Sequence, residues 1–239
     1  MKQSKLLALF TFCAYMLLEV NASGSDENLI EPLRASARRA AQAMNEVPAE
    51  RKAVLDKAAQ FIRERLDAGK PAQLTFVCTH NSRRSHLAQI WTQTAAAYYG
   101  IASIQTASGG TEATACNIRT VKALRRAGFS IADSTGGTNP VYVAQISDTG
   151  PALRLFSKVY DHRDNPQKDF AALMCCDQAD AGCPVVLGAA ARFAIHYVDP
   201  KVTDNTPVES ATYDERSQQI AREMFYMISR VQPVATANR

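Results

Sequence analysis

Residues 77–91, VCTHNSRRSHLAQIW, place a cysteine just ahead of several basic side chains. A cysteine attacks an electrophile as its thiolate, and nearby positive charge and a helix N-terminus both favour that anion. Arg84 follows Cys78 by six positions, and its planar guanidinium can hold two oxygens of a tetrahedral oxyanion. A buried structural cysteine is the alternative. The position of this segment between an apolar run and a helix favours a nucleophile.

The main chain of the same loop can also contribute to an anion pocket. Successive N–H groups of residues 79–85 can form an anion-binding nest. A helix that starts near Ser85 would aim its N-terminus at Cys78. The segment therefore predicts that a thiolate and an oxyanion share one small cradle. The residues expected to build and support it are Thr79, His80, Asn81, Ser82, Arg83 and Ser85.

Strands and helices alternate around this loop. An apolar run at 73–77 predicts a strand, and helical periodicity follows over 85–99. A strand at 104–107 and a helix at 118–127 then flank a glycine-rich segment, SGGTEATACN. Such alternation predicts a parallel sheet, and ligands bind these sheets beyond the carboxyl ends of the strands, where Cys78 falls.

The rest of the chain completes an α/β architecture. Two alternating runs around the DTGP turn at 148–151 predict an antiparallel hairpin. A short strand is predicted at 129–131, a buried strand at 169–176 and a last helix over 212–231. The expected fold class is α/β, with a doubly wound parallel four-stranded sheet, helices on both faces, an N-terminal helical hairpin and an inserted β-hairpin.

The N-terminal region precedes the domain that carries the loop. Residues 1–22 combine two lysines, a short apolar stretch and a small-residue end, which predicts a secretory signal peptide. The stretch is shorter than the roughly 20 residues of a membrane span. We therefore expect export, to a periplasm, and an association with the membrane only in the alternative of an uncleaved anchor. Residues 27–70 predict a helical hairpin broken at Pro48, ahead of a domain at 73–232.

Composition narrows the classes of partner and ligand. The chain has 239 residues and a formal net charge of +4, and no lysine and arginine block is dense enough to predict nucleic-acid binding. Without the leader the chain has an odd number of cysteines, so at least one thiol stays unpaired within the chain. Cys175 and Cys176 point oppositely on a strand and no second spaced pair exists, so we expect no metal. No cofactor is expected either.

Two segments carry a resemblance to a known family. CTHNSRRS, from Cys78, and SGGTEATACNIRTVKALRRAGFSI, from Ser108, resemble the low-molecular-weight protein tyrosine phosphatase superfamily, including its thioredoxin-coupled arsenate reductase branch. The resemblance runs from about 73 to 231. It implies that Cys78 is the nucleophile, that Arg84 clamps the oxyanion and that Asp199, before Pro200, is the general acid. It also implies that Ser85 hydrogen-bonds the thiolate and that Asn81 holds the loop.

The chain departs from that family pattern at two loop positions. His80 stands where the family usually has glycine, at a place where a positive φ would be easier without a side chain. Arg83 stands where many members have cysteine, which adds a positive charge to the loop.

A third segment, CCDQADAGCP, resembles the redox segment of the reductases. The resemblance implies that Cys176 attacks Cys78 and that Cys183 then forms a disulfide with Cys176, which a thioredoxin-like reductant reduces. If the segment were helical, the two Cα atoms would lie roughly 10 Å apart, whereas a disulfide needs them within about 7 Å. The segment would then have to unwind. Simple packing is the alternative for Cys175 and Cys176, and Cys175 is expected to be structural.

Three functions remain open from the sequence. The first is an exported arsenate reductase-like enzyme with the Cys176 and Cys183 relay, which would need an exported thioredoxin-like donor. The second is a low-molecular-weight phosphatase that hydrolyses phosphotyrosine or small phosphate monoesters through a cysteinyl-phosphate. Lys201 and Val202 follow Pro200 where these phosphatases usually carry aromatic residues, so an aromatic clamp is not evident. The third is a non-catalytic module that binds a small oxyanion such as arsenate or phosphate.

Overall fold

The computed structural model describes residues 24–132, 135–183 and 185–231. The predicted signal peptide at 1–22 lies outside these residues. Among the described helices, none has the length and apolar character that crossing a membrane requires. The helices and strands, in chain order, are α1 (Glu31–Gln42), α2 (Ala49–Asp67), β1 (Ala72–Cys78), α3 (Arg84–Tyr98), β2 (Ile104–Gly110), α4 (Ile118–Arg126), β3 (Ser130–Ala132), β4 (Tyr142–Gln145), β5 (Leu153–Leu155), β6 (Phe170–Met174), α5 (Asp177–Gly182), β7 (Ala189–Ala194) and α6 (Glu209–Ser229).

A four-stranded parallel sheet lies at the centre of the fold, in the order β2-β1-β6-β7. Every residue of β6 is buried, and consecutive strand residues point to opposite faces, so both faces of the sheet are covered. Strand β1 is buried almost throughout and lies between β2 and β6. The predicted fold class, an α/β protein with a four-stranded parallel sheet, is confirmed.

Two strands differ from the sequence-based expectation. The strand predicted at 129–131 is β3, and it pairs antiparallel with β4 in a second sheet of order β3-β4-β5. It buries only Ile131 of its three residues, which suits a short outer ribbon rather than a central parallel strand. The fourth parallel strand is β7, AAARFA, which lies at the edge of the sheet. It lacks the continuous apolar run that marks a buried strand, so periodicity did not reveal it.

The predicted β-hairpin is formed by β4 and β5. Tyr142 pairs with Leu155 and Ala144 pairs with Leu153, which sets an antiparallel register around the turn at 148–151. The buried residues of β4 alternate, so one face of the ribbon packs inward. The hairpin and β3 therefore form a small sheet beside the parallel one.

The two N-terminal helices are packed into the common core. Pro48 lies at the N-terminus of α2 and separates it from the preceding 3₁₀ turn. Leu33 of α1 and Leu55 of α2 are fully buried in the same apolar cluster as the sheet. Arg51 of α2 donates to Glu223 of α6 at 2.6 Å, across a nearly buried ion pair. The division into segments 27–70 and 73–232 stays a prediction, but these helices contribute directly to the core.

Helix α3 connects the Cys78 loop to the rest of the core. It starts at Arg84, and most of its side chains are buried, including Trp91. Trp91 Nε1 donates to Ser217 Oγ of α6 at 2.9 Å, and its ring packs edge-on against Phe129. A helix enclosed on most sides is held rigidly, which fixes the direction in which its N-terminus points.

Candidate active site

Cys78 is the last residue of β1, and residues 79–83 connect it to the first turn of α3. The thiol is buried, with its Sγ 3.0 Å from Ser85 Oγ. Asn81 Nδ2 donates to the same Ser85 oxygen at 2.9 Å. Because that oxygen accepts from Asn81, the Ser85 hydroxyl proton is free to point at Cys78. The arrangement favours a thiolate, since a hydrogen bond donated to an anion stabilises it.

Asn81 fixes the shape of the loop. Its backbone has a φ of 43°, in the left-handed region that asparagine tolerates better than most residues. Its Oδ1 accepts from the backbone N–H of Lys158 at 2.9 Å. The positive φ falls on Asn81 and not on His80, the position where the family resemblance led us to expect it. His80 therefore replaces the usual glycine without backbone strain of this kind.

The carboxyl end of β2 supports the loop from the neighbouring strand. Glu112 N donates to Thr79 O at 2.8 Å, and Thr111 N donates to Cys78 O at 3.2 Å. A Cβ atom on Gly110 would lie 2.7 Å from Thr79 O and 2.8 Å from Asn81 N, so a side chain does not fit there. The glycine-rich segment after Ser108 thus lets β2 approach the backbone of the Cys78 loop closely.

Arg84 and Asp199 meet although they lie 115 residues apart. Arg84 Nη2 donates to Asp199 Oδ2 at 2.9 Å, and Arg84 Nη1 donates to Tyr197 O at 3.1 Å. The guanidinium is largely buried, and its Nε makes no hydrogen bond within the described part of the chain. A guanidinium that lines the cleft is suited to bind an anionic group there.

Asp199 sits at the entrance to this pair. It caps a 3₁₀ turn, Pro200–Thr203, by accepting from Lys201 N at 3.1 Å, and its side chain is partly exposed. The carboxylate therefore lies between the buried arginine and solvent. A carboxyl in this position can reach the leaving group of a substrate that Arg84 binds.

Three other loop residues, through main-chain or side-chain contacts, help to hold the loop. Arg83 donates to the Tyr213 hydroxyl at 2.8 Å and lies 3.9 Å from Asp199 Oδ1, and burial raises the pKa of Tyr213 to about 12. Ser82 O accepts from Asn117 N at 3.0 Å. His80 O accepts from Ser157 Oγ at 2.8 Å, while its imidazole is about half exposed, 3.7 Å from Glu112. Their placement indicates support of the loop more than contact with an anion.

A cleft of about 880 Å³ opens over the loop. No phenylalanine or tryptophan of the described residues lines it. Its tyrosine, Tyr197, is buried and donates its hydroxyl to Glu223 at 2.8 Å. A smaller cavity of about 450 Å³ between α1, α3, α4 and α6 shares no lining residue with the cleft. The cleft is lined by His80, Arg83, Arg84, Asp177, Gln178, His196, Tyr197, Val198, Asp199, Lys201 and Val202.

Cys176 and Cys183 lie at the two ends of α5. Cys176 is fully buried, with its Sγ 3.4 Å from Thr79 Oγ1, and it also accepts from Ala179 N at 3.4 Å. Cys183 is partly exposed, and its thiol donates to Val185 O at 3.3 Å. Both cysteines are free, and the intervening segment is helical, so a disulfide between them requires α5 to unwind.

The other described cysteines are buried. Cys175 is fully buried, and its pKa is raised well above the ordinary value by burial and by the neighbouring thiols of Cys78 and Cys176. Burial also raises the pKa of Cys116 to about 12. No group of histidine, cysteine and carboxylate side chains in the described residues is arranged to hold a metal ion.

Sequence reasoning missed two buried basic groups beside the loop. His86, directly after Ser85, lies with Nδ1 3.2 Å from Ser108 Oγ, and burial lowers its pKa to about 3. Lys158 is almost fully buried, and burial lowers its pKa to about 8. His86 follows the loop motif directly and could have been flagged. Nothing in the local sequence marks Lys158, because its burial depends on how the segment after β5 folds back onto the loop.

His196, which lines the cleft, makes a contact that the sequence did not predict. His196 Nε2 lies 2.9 Å from Asp180 Oδ2, which joins α5 to the segment that leads to Asp199. Asp180 also pairs with Arg192 of β7. Asp180 is well separated in sequence from Arg192 and His196, so no local sequence pattern could have predicted these contacts.

No protein-family model matches this chain, and neither does any curated protein. Among solved structures, it is similar to a low molecular weight phosphotyrosine phosphatase from Vibrio cholerae, with 14% identity over 65% of this chain and 93% of that chain and a TM-score of 0.42. A low molecular weight protein tyrosine phosphatase from Bacillus subtilis has 13% identity over 66% and 96%, with a TM-score of 0.43. An arginine phosphatase from Geobacillus stearothermophilus has 16% identity over 66% and 91%, with a TM-score of 0.38. At these identities and TM-scores, the likeness by itself decides nothing about activity.

Proposed function

We propose that the protein hydrolyses phosphate monoesters through a cysteinyl-phosphate on Cys78. The observation that carries the proposal is the buried guanidinium of Arg84, which pairs with Asp199 and lines the cleft. Arg84 lies six residues after Cys78, at the other end of the same short loop, and Ser85 can stabilise the Cys78 thiol as an anion. A nucleophile, an oxyanion clamp and an acid are thus assembled from two distant segments.

The first step follows from these positions. The Cys78 thiolate attacks phosphorus, the bond to the leaving oxygen breaks, and Asp199 gives that oxygen a proton. Arg84 and the loop N–H groups stabilise the charge on the other phosphoryl oxygens. The Arg84 contact with Asp199 is exchanged for contacts with the phosphoryl group, which leaves Asp199 facing the leaving oxygen.

The second step releases phosphate. The Asp199 carboxylate takes a proton from water, and the water oxygen attacks the cysteinyl-phosphate as the sulfur–phosphorus bond breaks. Ser85, whose Oγ lies 3.0 Å from Cys78 Sγ, then donates to the departing sulfur. The thiolate is regenerated and no external reductant is needed.

The cleft favours small or flexible phosphate monoesters over phosphotyrosine. Val202 is strongly exposed beside the acid loop, and Lys201 is its neighbour. Tyr197 is held in the core by Glu223, so its ring is not offered to a substrate. Without a wall of aromatic side chains, the cleft gains little from stacking on a phenyl ring.

A second candidate, arsenate reduction, is favoured by one contact. Thr79, next to Cys78, touches the Cys176 thiol at 3.4 Å. After arsenate bonds to Cys78, Cys176 would attack the Cys78 sulfur, a disulfide would form, and arsenic would leave as arsenite with the electron pair of the broken bond. Cys183 would take over the disulfide once α5 unwinds, and a thioredoxin-like dithiol would reduce it.

One set of assays separates these functions. The purified mature protein and its Cys78→Ser, Cys176→Ser and Cys183→Ser variants are assayed on para-nitrophenyl phosphate, and on arsenate with a thioredoxin system. Phosphatase turnover that is lost only in Cys78→Ser supports the proposal. Arsenate reduction that is lost in all three variants supports the second candidate. Phosphate binding without turnover on either substrate supports the non-catalytic oxyanion module.

We also propose that the leader at 1–22 directs export. The support is the sequence pattern alone. Determination of the N-terminal residue of the protein purified from its native host tests it, and we expect the mature chain to start near Ser23. An intact leader on protein that sediments with membranes would instead favour an uncleaved anchor.

A further inference from the structure

Two cysteines are direct neighbours across the central strands. In the pairing of β1 with β6, Val77 lies opposite Met174, so the next residues on the two strands are Cys78 and Cys175. The ladder continues at this point, because Cys175 N donates to Val77 O at 2.6 Å. Neighbouring strands are about 4.8 Å apart, within the Cα separations of about 4.4–6.8 Å that disulfides span.

The same register separates Cys176 from Cys78. Beyond the ends of the two strands, the Thr79 hydroxyl touches the Cys176 thiol at 3.4 Å. Side chains alternate between faces along a strand. By continuation of this register Cys175 shares a face with Cys78, whereas Cys176 lies beyond the strand as the N-cap of α5.

The surroundings of the two thiols differ, and Cys78 is the one that lies next to the cleft-lining loop. Cys175 is fully buried, and its pKa is raised by burial first and by the Cys78 thiol next, while Arg84 lowers it. Cys78 precedes the loop whose Arg83 and Arg84 line the cleft, and its Sγ lies 3.0 Å from the Ser85 hydroxyl, which can donate to a thiolate. Thiolates react with peroxides and neutral buried thiols do not. Oxidation is therefore expected to start at Cys78.

We propose that Cys175 is a resolving cysteine that forms a reversible disulfide with Cys78 after Cys78 is oxidised by a peroxide. In the first step the peroxide O–O bond breaks and the Cys78 sulfur loses two electrons to become a sulfenic acid. The Cys175 sulfur then attacks the Cys78 sulfur, the S–S bond forms and the S–O bond breaks. Hydroxide leaves and, with the Cys175 proton, becomes water.

Oxidation itself prepares the second step. The sulfenic acid is neutral, so it removes the negative charge beside Cys175, while Arg84 remains near. Both changes ease the loss of the Cys175 proton. The ends of β1 and β6 must approach by roughly 1 Å to bring the Cβ atoms to disulfide distance. The loop after Cys78 allows the end of β1 to make this movement. An external dithiol would reverse the reaction and restore the thiolate.

Mass spectrometry of the full chain tests the proposal. The protein is treated with hydrogen peroxide, remaining thiols are alkylated, and a protease that cuts before aspartate releases residues 169–176 free of Cys183. We expect this peptide linked to residues 67–132, which contain Cys78 and Cys116, and we expect the link to persist in Cys116→Ala and to disappear in Cys78→Ser. The link should persist in Cys176→Ala and disappear in Cys175→Ala, where Cys78 should instead proceed to sulfinic acid. The Cys175→Ser variant repeats the test with a different side chain in the core.

Several results would overturn the proposal. One is a Cys78 link that persists in Cys175→Ala but is lost in Cys176→Ala. Another is wild-type protein that reaches sulfinic acid without any linked peptide. Activity gives a separate readout that rests on the proposed function: wild-type turnover of para-nitrophenyl phosphate should recover after dithiothreitol, and that of Cys175→Ala should not. If untreated protein shows no turnover, the proposed function fails, while the linked peptide still tests the disulfide.

Discussion

Single side chains decide what the Cys78 loop can do. Ser85 receives a hydrogen bond from Asn81, and its own proton is free to point at the Cys78 sulfur. Arg84 keeps Nε free of protein partners within the described residues, while Arg83 is engaged by Tyr213. Adjacent arginines on one loop thus have different tasks, because only one of them faces Asp199 closely.

The first prediction at this scale concerns the acid. Asp199→Asn keeps the shape of the side chain but cannot donate an acidic proton. We expect kcat on para-nitrophenyl phosphate to fall by about 10²-fold or more. The loss should shrink as the phenol leaving group becomes more acidic, because such a group departs without a proton. A kcat series over substituted phenyl phosphates measures this. An unchanged leaving-group dependence would contradict the role of Asp199.

A second residue-scale prediction concerns pH. His86 has its pKa lowered to about 3, chiefly by burial and then by the charge of Lys158, against 6.5 as the ordinary value. Between these values the unfolded chain takes up a proton that the folded chain does not. The free energy of unfolding should therefore fall by about 1.4 kcal/mol for each unit that the pH drops through this window. Above pH 6.5 His86 is neutral in both the folded and the unfolded chain, so it adds no pH dependence to the free energy of unfolding.

The matched variant is His86→Gln, which cannot take up that proton. Urea unfolding at several pH values from 7 to 4 gives the free energy of unfolding of both proteins. We expect the wild-type protein to lose stability more steeply than the variant on acidification. Parallel curves for the two proteins would show that His86 is not buried in its neutral form.

Elements differ in how far the sequence could predict them. The strand, loop and helix around Cys78 follow from residues that are close in sequence, and β1 and α3 lie within a residue or two of the predicted bounds. Strand β7 was not predicted, since its partly exposed residues lack a strand period. The contact of Arg84 with Asp199 was not predictable from spacing, because it depends on where the sheet places two segments 115 residues apart.

The element-scale prediction concerns the contact of β2 with the loop. Gly110→Ala would place a Cβ 2.2 Å from Glu112 O and within 2.8 Å of two atoms of the loop backbone. The backbone must shift to accept it. We expect a strong loss of phosphatase kcat and a lower melting temperature. Circular dichroism and steady-state assays measure both.

A glycine elsewhere provides the control for that change. Gly182 ends α5, and an added Cβ there meets nothing within 4 Å. Gly182→Ala should leave the melting temperature and turnover close to those of the wild type. Equal effects of the two substitutions would show that close approach at Gly110 does not shape the loop.

At the scale of the whole molecule, one apolar core joins the N-terminal helices to the sheet. Amphipathic spacing predicted α1 and α2 but could not show what they cover, because that depends on the unpaired faces of other elements. The structure places them against α6, with Arg51 held by Glu223. The sequence thus predicted the helices themselves, while their part in the core came from the tertiary packing.

Because the N-terminal helices and the sheet share one core, we expect them to unfold together in a single transition. Leu55 of α2 is fully buried, so Leu55→Ala should lower the free energy of unfolding by about 2–5 kcal/mol. The neighbouring Val54 is only partly buried, and Val54→Ala should cost clearly less. Far-UV circular dichroism and the fluorescence of Trp91, the chain's single tryptophan, should report coincident unfolding. Two separate transitions would show that the N-terminal helices fold independently.

The proposed cysteinyl-phosphate is tested most directly by identifying the residue that carries phosphate during turnover. Wild-type protein is mixed with para-nitrophenyl phosphate, quenched in acid within the turnover time, digested and analysed by mass spectrometry. The account predicts a phosphoryl group on Cys78 and neither a phosphoryl group nor turnover in Cys78→Ser. Phosphate on another residue, or a Cys78→Ser variant that turns over at the wild-type rate, would contradict it.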